Sequence, residues 1–213
     1  MSLLVGFDLD LTLVDSAAGI AATLGAALAE AGVLVTGEQV WRQAGLPLET
    51  IVQTLAPQVD APAVADRYRE LYPSLGIPST VLLPGAEDAI RAVRELGGRV
   101  AVVSAKRESA VRAVLAHVGL DAPPAGPDLV AGGRFAEHKG DWLLAAGAAV
   151  YVGDHPGDIR AAHTASAVAV AVATGPFSGA ELRAAGADVV LADLTKFPDW
   201  ISLWMHNRTL PVE

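Results

Sequence analysis

Two aspartates stand two residues apart at the end of the first apolar run, in Phe7-Asp8-Leu9-Asp10-Leu11-Thr12-Leu13. If the chain curls just past a strand, both carboxylates can face one cavity. One can then attack phosphorus as a nucleophile, while the other gives a proton to the leaving group and later takes one from water. The same pair would also suit an acidic turn opening a helix. Ser104 closes Val102-Val103-Ser104, where its hydroxyl can donate to a phosphate oxygen or cap a helix over 106–118. Lys139, in Glu137-His138-Lys139-Gly140-Asp141, can neutralise a carboxylate beside a phosphoryl group, although surface lysines are commonplace. Finally, Val152-Gly153-Asp154-His155-Pro156-Gly157-Asp158 carries two more acids one helical turn apart. Carboxylates crowded within ~4–6 Å force at least one to take up a proton unless a cation joins them. Hard oxygen ligands in this number suit Mg²⁺, which keeps several waters and shares its shell with phosphate.

The elements that must position these groups are legible as short apolar runs separated by amphipathic helical stretches. The runs are 3–7, 99–103, 149–152 and 168–172, with a weaker one at 188–191. Runs buried on both faces and separated by helices predict a parallel sheet with crossover connections. Between them, Ala89, Ile90, Val93 and Leu96 recur at helical spacing, as do Val111, Val114, Leu115 and Val118. In such a sheet ligands bind at the carboxyl ends of the strands, where the polar residues above fall. Residues 17–79 break the alternation. They are rich in Ala, Leu and Glu, with breaks at Gly45-Leu46-Pro47 and Ala56-Pro57, and predict three or four helices. The fold class expected is α/β, a Rossmann-like doubly wound parallel sheet. Residues 1–16 and 80–213 would form the core, and 17–79 a small helical cap inserted after the first strand.

In their order and spacing these segments resemble the four motifs of the haloacid dehalogenase-like superfamily. Asp8-x-Asp10-x-Thr12 matches the first, Ser104 the second, Lys139 the third and Gly153-Asp154-x-x-x-Asp158 the fourth. Within that superfamily the chain is most similar to small phosphatases grouped with phosphoglycolate phosphatase. The resemblance implies that Asp8 is the nucleophile and a metal ligand through its side chain. It makes Asp10 the general acid/base, binding Mg²⁺ through its backbone carbonyl, and Asp154 the third protein ligand. Ser104, Ala105 and Lys139 would hold the transferring phosphoryl group, with Thr12 and Asp158 in support. Many relatives have Asn where Ala105 stands, and Pro-x-Pro where Gly140-Asp141-Trp142 follows the lysine. The implied activity is Mg²⁺-dependent hydrolysis of a small phosphate monoester through an aspartyl-phosphate. A phosphomutase using the same aspartates and a noncatalytic module keeping the fold are the rival readings. A dehalogenase would have no need of Asp10, Asp154 and Asp158.

Composition narrows the partners. The chain has 213 residues, 52% of them hydrophobic and 18% charged, which predicts a packed globular protein. Its formal net charge is -9, and no stretch gathers Lys and Arg into a patch for nucleic acid. There is no cysteine, so disulfides, thiolate zinc sites and cysteine nucleophiles are excluded together. No apolar run approaches the ~20 residues that cross a bilayer, and no signal peptide is evident at the amino end. A cytoplasmic enzyme for a small phosphorylated metabolite, monomeric or homodimeric, is the expectation, with neither nucleic acid nor membrane as partner. Of the remaining residues, His155 reads as a turn histidine facing solvent. Trp41 reads as a core residue beside a solvated Arg42, and Trp200 and Trp204 as a helix packing on the core. Lys106-Arg107 could draw in an anion or equally mark an exposed helix start.

Overall fold

The structure, a computed structural model, describes residues 3–209. The chain runs through β1 (Leu4–Phe7), a short β2 (Val14–Asp15), then α1 (Ala17–Glu30), α2 (Gly37–Trp41), α3 (Leu48–Leu55), α4 (Ala61–Leu75) and β3 (Val81–Leu82). From there helix and strand alternate: α5 (Ala86–Glu95), β4 (Arg99–Val103), α6 (Glu108–His117), β5 (Leu129–Ala131), α7 (Glu137–Ala146) and β6 (Val150–Gly153). The remainder is α8 (Pro156–Thr164), β7 (Val168–Val172), α9 (Gly179–Ala184), β8 (Val189–Leu191) and α10 (Phe197–Thr209).

Six of the strands make one sheet in the order β5-β4-β1-β6-β7-β8, with every neighbouring pair parallel. This is the doubly wound α/β core expected from the apolar runs. Alternate residues of each strand face opposite layers. Val5, Phe7, Val100, Val102, Val150 and Val152 share one cluster with Ile90, Phe197 and Ile201. Leu4, Ala101, Val103, Tyr151 and Ala169 share the other with Leu143 and Ile159. The second layer is rich in alanine, which lets α7 and α8 pack closely on the sheet. In the first, Phe197 meets Phe7 edge-on at 5.3 Å, and Trp200 stacks on Trp204 at 5.9 Å. The two tryptophans therefore do lie on a helix packed against the core.

The chain leaves the sheet after β1 and returns to it through β2 and β3, which pair antiparallel as Val14↔Leu82 and Asp15↔Val81. All four helices α1–α4 lie between those two strands. Their apolar residues, including Leu24, Ile51, Val64 and Tyr68, are continuous with the first layer of the core. Four details depart from the sequence reading. β5 was not anticipated, nor was the β2–β3 pair. The helix expected over 106–118 begins at Glu108, with Arg107 as its capping residue, so Ser104 is not an N-cap. Trp41 is only half-buried rather than in the core, while Arg42 is exposed and paired with Glu38.

Candidate active site

The order of strands puts three motifs side by side. β1 lies between β4 and β6, with Phe7 opposite Val102 on one side and Val152 on the other. Asp8, Ser104 and Asp154 thus leave adjacent strands at the same end of the sheet, where the connections diverge to opposite sides and a crevice opens. The Asp8 amide donates to the carbonyl of Val152 at 2.8 Å, which ties the first residue of the loop to the neighbouring strand. Leu11, at φ 59°, then turns the chain back, and the Leu9 carbonyl accepts from the Leu13 and Val14 amides. That tight turn aims the Thr12 hydroxyl at Asp154, whose Oδ1 accepts from it at 3.2 Å.

Lys139 reaches the same place from α7. Its helix is entered through Ala136 at φ 44°, a left-handed conformation that an alanine adopts only under constraint. The ammonium is buried, 2.7 Å from Asp158 Oδ1 and 2.9 Å from Asp8 Oδ1. Burial acts to lower its pKa, yet the carboxylates of Asp158 and Asp8 outweigh that and hold it well above the usual lysine value. It is a fixed positive charge. Asp158 is clamped at its other oxygen by the His155 amide at 3.2 Å, in the capping box that starts α8.

Asp8, Asp154 and Asp158 offer oxygens that all lie within 4.8 Å of one another, and all three residues are buried. One ammonium faces three carboxylates, so the cluster is short of positive charge. Burial, opposed by Lys139 and reinforced by Asp158 and Asp10, pushes the Asp8 carboxyl up to about 7. Burial, with Asp158 and Asp8, also pushes Asp154 well above the usual carboxylate range. Asp154 Oδ2 accepts no hydrogen bond despite its burial, whereas Asp8 Oδ1 has the Lys139 ammonium at 2.9 Å. Asp154 Oδ2 lies so close to the Gly175 backbone that no side chain fits there. Buried carboxylate oxygens are expected to be satisfied. An orphaned one, Asp154 Oδ2, in a cluster short of positive charge fits a hard divalent cation.

Asp10 is set apart from this cluster. Its Oδ1 accepts from the Ser16 hydroxyl at 2.6 Å, and its Oδ2 lies 3.3 Å from the Lys106 ammonium. Ser104 is buried, and its hydroxyl accepts from the Lys106 amide at 3.2 Å, leaving its proton for an oxygen in the site. A cavity of about 90 Å³ is lined by Asp8, Asp10, Ser104 and Ala105 from the core, and by Leu46 and Tyr68 from the helical segment. The structure therefore gathers Asp8, Lys139, Asp154, Asp158 and Thr12 in one cluster, and Asp10, Ser104 and Ala105 beside it.

Two neighbours differ from the sequence reading. His155 does not face solvent. It is buried, accepts at Nδ1 from the Gly157 amide at 2.9 Å, and packs against Phe135 and Phe177 with ring centroids at 5.8 and 5.0 Å. Burial lowers its pKa, so it is a neutral capping residue. Lys106 is no exposed helix start. Its side chain is 11% exposed, and its ammonium sits 4.2 Å from the centre of the Tyr72 ring. Only its place two residues after Ser104 hinted at this.

A family model described as haloacid dehalogenase-like hydrolase matches residues 5–163. A phosphoglycolate phosphatase of Pseudomonas savastanoi pv. phaseolicola is 28% identical over 214 residues, covering 91% of this chain and 77% of that protein. Another from Cereibacter sphaeroides is 34% identical over 182 residues, covering 76% and 80%. Among solved structures, a haloacid dehalogenase-like family hydrolase from Streptococcus pneumoniae superposes with a TM-score of 0.81 at 21% identity. That match covers 96% of this chain and 98% of the other, and at such identity it speaks for the fold alone.

Proposed function

Since the chain belongs to the haloacid dehalogenase-like hydrolases, we propose that it hydrolyses a small phosphate monoester with Mg²⁺ through a phosphorylated Asp8. Its relatedness to phosphoglycolate phosphatases makes it a phosphatase. The metal, the covalent step and the substrate are the proposal. One observation carries it: the buried Asp8 carboxylate, ion-paired through Oδ1 with a fixed ammonium at the carboxyl end of the central strand, beside a buried Asp154 oxygen that has no partner.

In this reading an Asp8 oxygen attacks phosphorus, and the ester oxygen departs with a proton from Asp10. Water then attacks the aspartyl-phosphate, Asp10 takes up its proton, and inorganic phosphate leaves with the Asp8 carboxylate restored. Asp10 is held for this by Ser16 and Lys106. The Ser104 hydroxyl and the Lys139 ammonium receive charge on the phosphoryl oxygens, where fixed donors favour the transition state without reorganisation. Asp8 and Asp154, with the Asp10 carbonyl and Asp158 in support, would hold Mg²⁺, which keeps Asp8 ionised and offsets phosphoryl charge. Residues 17–79 serve as the cap that shuts bulk water from the site.

Replacing Asp8 by Asn is expected to lower Mg²⁺-dependent phosphate release from an aryl phosphate by at least about 10³-fold. Circular dichroism and thermal melting should show the variant folded. A wild-type protein that releases no phosphate across a broad panel of esters sinks the proposal in favour of a binding module. Isomerisation of a sugar phosphate, dependent on a bisphosphate activator, would instead identify a phosphomutase.

A further inference from the structure

A second and larger cavity opens beside the phosphoryl site. It measures about 700 Å³ and runs between the helical segment and α6. Ala105, Lys106, Leu48 and Tyr68 line both cavities, so the two adjoin, with Asp10, the group that would protonate the departing oxygen, on the wall of the smaller one. A leaving group departing from phosphorus past Asp10 is therefore next to this cleft.

The walls say what fits. Tyr68 and Tyr72 stack at 5.3 Å on one side, and Phe135 lines another. The Tyr72 hydroxyl is buried; Lys106 and Thr80 lie near it, but neither meets it in hydrogen-bonding geometry. Arg107 stands at the rim, 62% exposed, with Asp66 3.6 Å away, too far for a hydrogen bond. Arg69, by contrast, is taken up by Glu49 and Asp66. Arg107 also begins α6, whose first amides have no side-chain cap. A rim cation held only by a loose ion pair with Asp66 thus stands at one end of an aromatic-walled cleft.

We propose that the substrate's leaving group is ring-sized and carries a second anionic group, its ring against Tyr68, Tyr72 and Phe135 and its anion at Arg107. This rests on the phosphatase reading and narrows it. A two-carbon leaving group would leave most of the cleft to water, whereas ~300–1,000 Å³ is the usual volume of a pocket for a far larger small molecule.

The test compares kcat/KM for phosphoglycolate, phenyl phosphate and 4-carboxyphenyl phosphate with the purified protein and Mg²⁺. The carboxyphenyl ester should exceed phosphoglycolate, and phenyl phosphate should fall below it in turn by about tenfold for want of the charged contact. In Arg107→Ala the ratio of carboxyphenyl to phenyl ester should drop towards one. In Ala113→Trp, an exposed cleft position, both aryl esters should lose ground to phosphoglycolate. A preference for phosphoglycolate in the wild type, or ratios unmoved by both variants, overturns the proposal while leaving the phosphatase reading intact. If none of the three esters is hydrolysed, the phosphatase reading falls and this one with it.

Discussion

At the scale of single residues, the site depends on how one carboxylate is rotated. Asp154 has one oxygen on the Thr12 hydroxyl and the other against Gly175 with no partner. The hydroxyl therefore selects which oxygen is left for a cation. Thr12→Val keeps the volume and removes the donor. Loss of such an outer partner usually costs about 10–100-fold in metal affinity. The concentration of Mg²⁺ giving half-maximal activity should rise by that factor, with the rate recovering at saturating Mg²⁺; an unchanged titration would relieve Thr12 of this role. Asp8, Asp10, Ser104 and Asp154 were legible because each ends an apolar run, and strand ends are where ligands meet such sheets. Lys139 was legible only through its place in a motif order, since a lysine's burial depends on distant acids. His155 was misread, and the two readings of Lys106 were left undecided, for the same reason. The rings and carboxylate that enclose them come from Phe135, Phe177, Tyr72 and Asp10, and no local periodicity announces such company.

At the scale of elements, the helical segment meets the core at a turn between α2 and α3. Gly45 there has φ 91°, and an added Cβ would approach the His155 ring at 2.8 Å. Gly32, after α1, has φ 78° with open space around it. Both Gly→Ala changes impose a left-handed alanine and should cost about 1–2 kcal/mol of stability by denaturant unfolding. Gly45→Ala alone also pushes the turn off His155, so kcat/KM should fall for that variant and stay near wild type for Gly32→Ala. Equal activities in the two would show that this contact does not govern the site. The long apolar strands and the helices α5, α6 and α10 were readable from their periods. β5 has three residues and β2 and β3 two each, too short for alternation to register. What makes them strands is pairing, with Ala101–Val103 for β5 and with each other for β2 and β3.

At the scale of the whole molecule, the cluster ties stability to pH and to metal. The Asp8 carboxyl rises from 3.8 to about 7, chiefly through burial, and Asp154 is raised as well. A folded-state pKa above the unfolded one means that the native protein binds more protons between the two values. Stability of the metal-free protein is then lost as pH climbs from about 4 to about 7. Lys139 does not reverse this, because its raised pKa keeps it charged throughout that range. A divalent cation held by the cluster as proposed would need it ionised, so the stabilisation it confers should grow over the same interval. At a hundredfold excess over its dissociation constant a ligand of the native state adds about 2.7 kcal/mol. For a chain of this length each kcal/mol is worth about 2–4 °C in melting temperature. Melting at pH 8 should therefore shift up by about 5–10 °C with saturating Mg²⁺, and by clearly less at pH 5. Removing the orphaned oxygen with Asp154→Asn should erase most of the difference between the two pH values. A melting temperature indifferent to Mg²⁺ at pH 8 would mean that the three buried carboxylates are reconciled by protons alone.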